Sequence, residues 1–202
     1  FLTAHSILLA VTTPISVGFC LVGPELMALL FGDQWEVSGR LLQVLGVYLT
    51  FRVTYKVSDA CIRALGAVYE RAAAQAVFAA LIVVGAYTGA TRGLESVAWL
   101  VGGCYLANFS IMYWLCSRRL EAGVRMVVAM LIRHALIALS PAIAVTLTVA
   151  FMRQASLADH VLVGAACLLL GSCYLAVAVF RPSWFGEEVA VILGRITSAL
   201  KQ

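Results

Sequence analysis

Six apolar runs, each near the length of a membrane-crossing helix, take up most of this 202-residue chain. A helix needs about 20 such residues to cross the hydrocarbon core of a bilayer. The runs cover residues 6–30, 41–65, 72–90, 97–116, 131–151 and 160–180. They are solidly apolar rather than alternating over about 10 residues, which excludes a porin-like barrel. Composition leaves these side chains no aqueous-protein interior: 63% of residues are hydrophobic, 12% are charged, and mean hydropathy is +0.99. A soluble domain is about 45–50% apolar and about 25% charged. The sequence therefore predicts an all-α polytopic membrane protein, a six-helix transmembrane bundle over residues 1–180. Its connections, 31–40, 66–71, 91–96, 117–130 and 152–159, are too short for a further domain, so consecutive spans run antiparallel.

Charge sets the expected orientation. Arg63, Arg71, Arg118, Arg119, Arg125, Arg181, Arg195 and Lys201 fall on one side, against Arg40, Arg92 and Arg153 on the other. The positive-inside bias places the richer side, and both chain ends, in the cytoplasm. Residues 181–202 predict an amphipathic tail on that leaflet, with Phe185, Val189, Ile192, Leu193, Ile196 and Leu200 at helical intervals. A disordered tail is the competing account. Phe1 stands in mid-pattern, without a Met or a charged leader, so the chain is expected to be a fragment lacking an N-terminal part.

Several features have ordinary readings. The six cysteines lie in or beside apolar runs, without zinc or disulfide spacing, and are expected to pack as small hydrophobes. The repeats Ala72-Ala76-Ala80 and Gly85-Gly89 suggest close helix packing. His5, His134 and His160 lie near span ends, where interfacial positions are expected. Thr12 and Thr13 before Pro14 can bond carbonyls freed by a proline kink. The net charge of +4 is too dilute for a nucleic-acid surface. There is no phosphate loop, no metal-spaced cluster and no nucleophile beside a base. The sequence thus predicts no catalytic residue, metal or cofactor, and a transporter rather than an enzyme.

The second span carries the exception. Arg52, Lys56, Asp59 and Arg63 fall at 0°, 40°, −20° and 20° at about 100° per residue, with Tyr48 and Tyr55 flanking them. Three mid-span charges facing lipid cost roughly 8–10 kcal/mol, against roughly −5 returned by the apolar neighbours. This face must pair inside the bundle or line a watery cavity. In the first case Asp59 and other acids neutralise the cations; in the second a net positive stripe meets an anion such as a phosphate or diphosphate.

The sequence from Val22 to Trp35, Val-Gly-Pro-Glu-Leu-Met-Ala-Leu-Leu-Phe-Gly-Asp-Gln-Trp, followed by Leu41-Leu-Gln-Val-Leu45, resembles bacterial polysaccharide flippases. These are O-antigen and exopolysaccharide exporters of the multidrug/oligosaccharidyl-lipid/polysaccharide superfamily. Arg63-Ala64-Leu65-Gly66 is similar to the end of the next helix in that family. Gly93-Leu-Glu-Ser96-Val97-Ala98 is similar to a later turn, with Ser in place of the second Gly. The likeness is strongest over residues 14–116.

The resemblance implies one lobe of a two-lobe, alternating-access transporter in the inner membrane, with the N-terminal lobe missing. It implies an undecaprenyl-diphosphate-linked oligosaccharide as substrate, with polysaccharide polymerase and chain-length proteins as neighbours. The stripe Arg52, Lys56, Asp59, Arg63, Tyr48 and Tyr55 would then be the substrate-binding surface. A cation-coupled drug antiporter of the same superfamily would instead need an acidic cavity. A membrane-embedded glycan polymerase or ligase would need a large periplasmic loop, and a structural subunit would leave the stripe idle.

Overall fold

The computed structural model describes residues 1–120, 124–154 and 159–180. These form six long helices: α1 (Leu2–Phe31), α2 (Glu36–Ala64), α3 (Val68–Ala90), α4 (Leu94–Leu120), α5 (Val124–Gln154) and α6 (Asp159–Phe180). The number of helices matches the number of apolar runs, but each helix is longer than its run. The backbone stays helical through the polar turns that end the apolar stretch, as the start of α2 at Glu36 illustrates. The expected tail, 181–202, lies outside the described residues.

Among the described residues, four segments are long and apolar enough to cross a membrane: α1, α3, α4 and Leu131–Met152 within α5. The charged α2 is not among them, and the apolar part of α6 described, His160–Ala176, is shorter.

α1 is central. Its first half packs through Leu9 against Phe109 and Tyr113 of α4. Its second half packs through Val22 against Val145 and Val149 of α5 and Leu162, Ala166 and Leu170 of α6. α2 lies antiparallel along α1, joined by Ser16 to Thr50 at 2.8 Å and by the Gln43 amide donating to the Cys20 carbonyl at 3.0 Å. α4 runs parallel to α2, as the ring pairs Tyr48–Trp99 and Phe51–Phe109 show. α3 rests on α4 and barely touches α2. The α2–α3 reversal is tight because Gly66 takes φ +73°, a left-handed conformation that a side chain would strain.

Three expectations need correction. α1 departs from helical geometry at Val22 (φ −124°, ψ 23°), two residues before Pro24, rather than at Pro14. Thr12 and Thr13 do bond carbonyls, but those of Leu8 and Leu9, one turn behind each. His5 and His134 are buried, at 1% and 3% exposure, because α1 and α5 pack along those faces. Only His160 is exposed. Finally, Ala72, Ala76 and Ala80 are exposed, and Ala74 is the alanine of α3 that enters the core. Gly85 and Gly89 do pack closely, against Cys104 and Val97 of α4.

Candidate functional site

α2 stays helical through its charged stretch because every residue from Leu49 to Ile62 has a side chain compatible with a helix interior, free of Gly and Pro. About four turns, from Tyr48 to Arg63, carry the stripe past α4 and toward the start of α3. The upper part is aromatic. The Tyr48 ring meets Trp99 edge-on at 5.9 Å and lies directly over Gly102, where no other residue leaves space for it. Arg52 is exposed, with its guanidinium 5.0 Å from the centre of the Tyr105 ring. Phe78 of α3 supports that ring, centroid to centroid at 5.5 Å.

The lower part is ionic. Asp59, 8% exposed, accepts two hydrogen bonds from Arg71 of α3, Nε to Oδ1 at 2.6 Å and Nη2 to Oδ2 at 3.3 Å. Arg63, one turn along α2, approaches Oδ2 at 3.4 Å. A second bridge, Arg119 to Glu70, ties α4 to α3 at the same end.

The stripe therefore divides. Asp59 and Arg63 are brought together, with Arg71 as the stronger partner. Tyr55 turns into the core beside Leu9 and Ile62. Arg52 and Lys56 are exposed, and among the described residues no carboxylate forms an ion pair with either. One carboxylate shared by two arginines carries a net single positive charge, and Arg52 and Lys56 add two more.

Sequence reasoning counted Arg71 only as a charge that orients the chain. Its signal was its place in the first turn after a short reversal: an antiparallel return over residues 65–67 sets residue 71 opposite residue 59. That depends on the path of the turn, which helical angles within one span do not contain.

An apolar cleft lies elsewhere. It has a volume of about 330 Å³ and lies between α1, α2 and α5, lined by Leu9, Thr13, Val47, Thr50, Phe51 and His134. Its α2 residues lie some 100° or more around the helix from Arg52, so the stripe does not line it. A buried polar contact sits nearer the start of α1, where His5 Nε2 and Ser58 Oγ are 3.5 Å apart. No family model, curated protein or solved structure matches the chain.

Proposed function

We propose that this chain is the C-terminal lobe of a bacterial inner-membrane flippase. It moves an undecaprenyl-diphosphate-linked oligosaccharide from the cytoplasmic to the periplasmic leaflet by alternating access. It transports and does not catalyse. The observation that carries this reading is the pair of exposed cations, Arg52 and Lys56, that no carboxylate neutralises among the described residues.

Depth gives the pair its meaning. With a rise of 1.5 Å per residue, α2 is about 43 Å long, and Arg52 and Lys56 lie about 3 and 9 Å from its midpoint. Near the centre of a bilayer a cation costs about 2.5–3.5 kcal/mol. The Tyr105 face offsets about 0.5–2 kcal/mol of the Arg52 cost and leaves its charge in place. Such cations suit an anion that must cross the low-dielectric region. The planar guanidinium can grip two phosphoryl oxygens at once, and the Lys56 ammonium adds a compact charge beside it. The antiporter alternative needs an acid free to take a cationic substrate. The acid of this stripe, Asp59, is already held by two arginines.

The test is export by the whole transporter carrying Arg52→Ala and Lys56→Ala, normalised to inserted protein. Losing two charge-assisted contacts is expected to lower export at least about tenfold while the protein still accumulates. Arg52→Lys is expected to retain part of it. Normal export by the stably inserted double variant overturns the binding role.

A further inference from the structure

Two cross-links set the register between α2 and α3. Near the chain reversal, Arg71 grips Asp59. Two turns further, the Tyr105 ring of α4 lies between Arg52 of α2 and Phe78 of α3. α2 and α3 are antiparallel, so Gln75, between Arg71 and Phe78, is level with Tyr55 and Lys56. Asn108 reaches the same level, three residues beyond Tyr105 on α4, which runs parallel to α2. Its helix neighbours fix the direction it faces. The Cys104 thiol donates to the Leu81 carbonyl of α3, and Met112 packs with Ile62 of α2 and Ala74 of α3. Asn108 therefore points into the seam where the three helices meet.

At this level the polar groups are unmet. Asn108 is fully buried, and neither its amide nitrogen nor its oxygen has a hydrogen-bond partner among the described residues. The Gln75 Nε2 is buried and equally unpartnered. Each such group costs about 1–3 kcal/mol if nothing satisfies it. The unmet set contains donors and an acceptor together. A phosphoryl oxygen only accepts; a hydroxyl group both donates and accepts, and so meets both needs. Within a turn of this level on α2 stand Arg52 and Lys56, exposed on the open side of the helix, where α3 hardly touches it.

We propose that Gln75 and Asn108 form a hydroxyl-binding pocket next to the cations, so that this seam takes a glycosyl phosphate: phosphate on Arg52 and Lys56, sugar hydroxyls on the two carboxamides. The inference rests on the flippase reading for the phosphate half and adds the sugar-binding half. Gln75 and Asn108 touch the ligand directly; Tyr105 and the Arg71–Asp59 bridge position the walls.

The probes are hexose 1-phosphate and inorganic phosphate, titrated separately onto the purified chain in detergent and followed by phosphorus NMR. Hexose 1-phosphate is expected to bind about tenfold more tightly, the gain of about one net hydrogen bond. Gln75→Met and Asn108→Leu should erase that preference and leave phosphate binding unchanged, whereas Arg52→Ala should weaken both ligands. Thermal unfolding checks that the variants fold. Half-buried Gln75 is the decisive position if Asn108→Leu does not accumulate. Phosphate binding with no preference for the sugar, or a preference that survives Gln75→Met, means that water alone fills the pocket; the inference then fails while the anion site stands. Failure of both ligands to bind removes the anion site, and the inference falls with it.

Discussion

Asp59 shows how far a single residue can be understood before its neighbours are known. The i to i+4 spacing with Arg63 makes that contact legible in the sequence, and the pair forms at 3.4 Å. The shorter, two-pronged grip comes from Arg71, which only the chain reversal brings near. Asp59 is buried while both arginines keep part of their surface in the open, so the carboxylate is the member most dependent on its partners. Asp59→Asn is expected to lower the thermal unfolding midpoint of the purified chain. Arg63→Ala, which removes the longer contact, should lower it less. The exchange Asp59→Arg with Arg71→Asp should recover part of the loss, because it restores one opposite-charge pair across the same gap. If Asp59→Asn unfolds like the unaltered chain, the bridge is not holding α2 to α3. The histidines make the complementary point. Sequence position near a span end suggested interfacial rings, but whether a ring is buried depends on which face the neighbouring helix covers.

At the scale of whole elements, the apolar runs located all six long helices of the described residues, because hydrophobic length marks where such a helix must lie. Their ends were less legible, since the polar turns beyond each run are also helical. The packing faces were least legible of all. Ala72, Ala76 and Ala80 have the right spacing for a close-packed face, yet α3 presents Ala74, Gly85 and Gly89 to α4 instead. Any small-residue pattern is compatible with several rotations of a helix. The contact itself can be tested with two glycines of the α3–α4 pair. A methyl group added at Gly89 would come within 2.7 Å of the Val97 Cα, a backbone atom that cannot swing aside. Gly89→Ala is therefore expected to destabilise by about 1–3 kcal/mol through overpacking. The control is Gly103, where an added methyl group meets nothing within 4 Å. Gly103→Ala should be neutral or stabilise by up to about 1 kcal/mol, from helix propensity. Equal effects at the two positions would mean that α3 does not lie against α4 in this register.

Across the whole molecule, the charges and aromatic rings sort by end. The starts of α3 and α5 and the ends of α2 and α4 lie together at one pole, which carries Arg63, Arg71, Arg118, Arg119 and Arg125. The opposite pole, with the α1–α2 and α3–α4 connections, carries Arg40 and Arg92. Along the exposed side of α4 the order is Leu106, Trp114, then Arg118 stacked over the Trp114 ring at 4.7 Å. That progression from apolar to aromatic to basic is the one expected along a helix leaving the hydrocarbon core for the headgroups. At the other pole Phe31 and Trp35 are both exposed and in contact, centroids 5.8 Å apart, so aromatic residues mark that boundary also. If the bundle crosses the inner membrane, the arginine-rich pole is the cytoplasmic one. Two exposed positions report on this: Asp33 at the arginine-poor pole and Tyr69 at the arginine-rich pole. Single cysteines at each, in a chain whose own six cysteines are replaced, should differ when intact cells permeable only at the outer membrane are treated with a charged maleimide. Asp33→Cys is expected to react and Tyr69→Cys to react only after the inner membrane is opened. The reverse pattern would invert the bundle and place Arg63 at the periplasmic mouth, against the proposed entry of substrate from the cytoplasm. Labelling of both in intact cells would remove the bundle from the membrane, and with it the physical reason for proposing that Arg52 and Lys56 bind an anion.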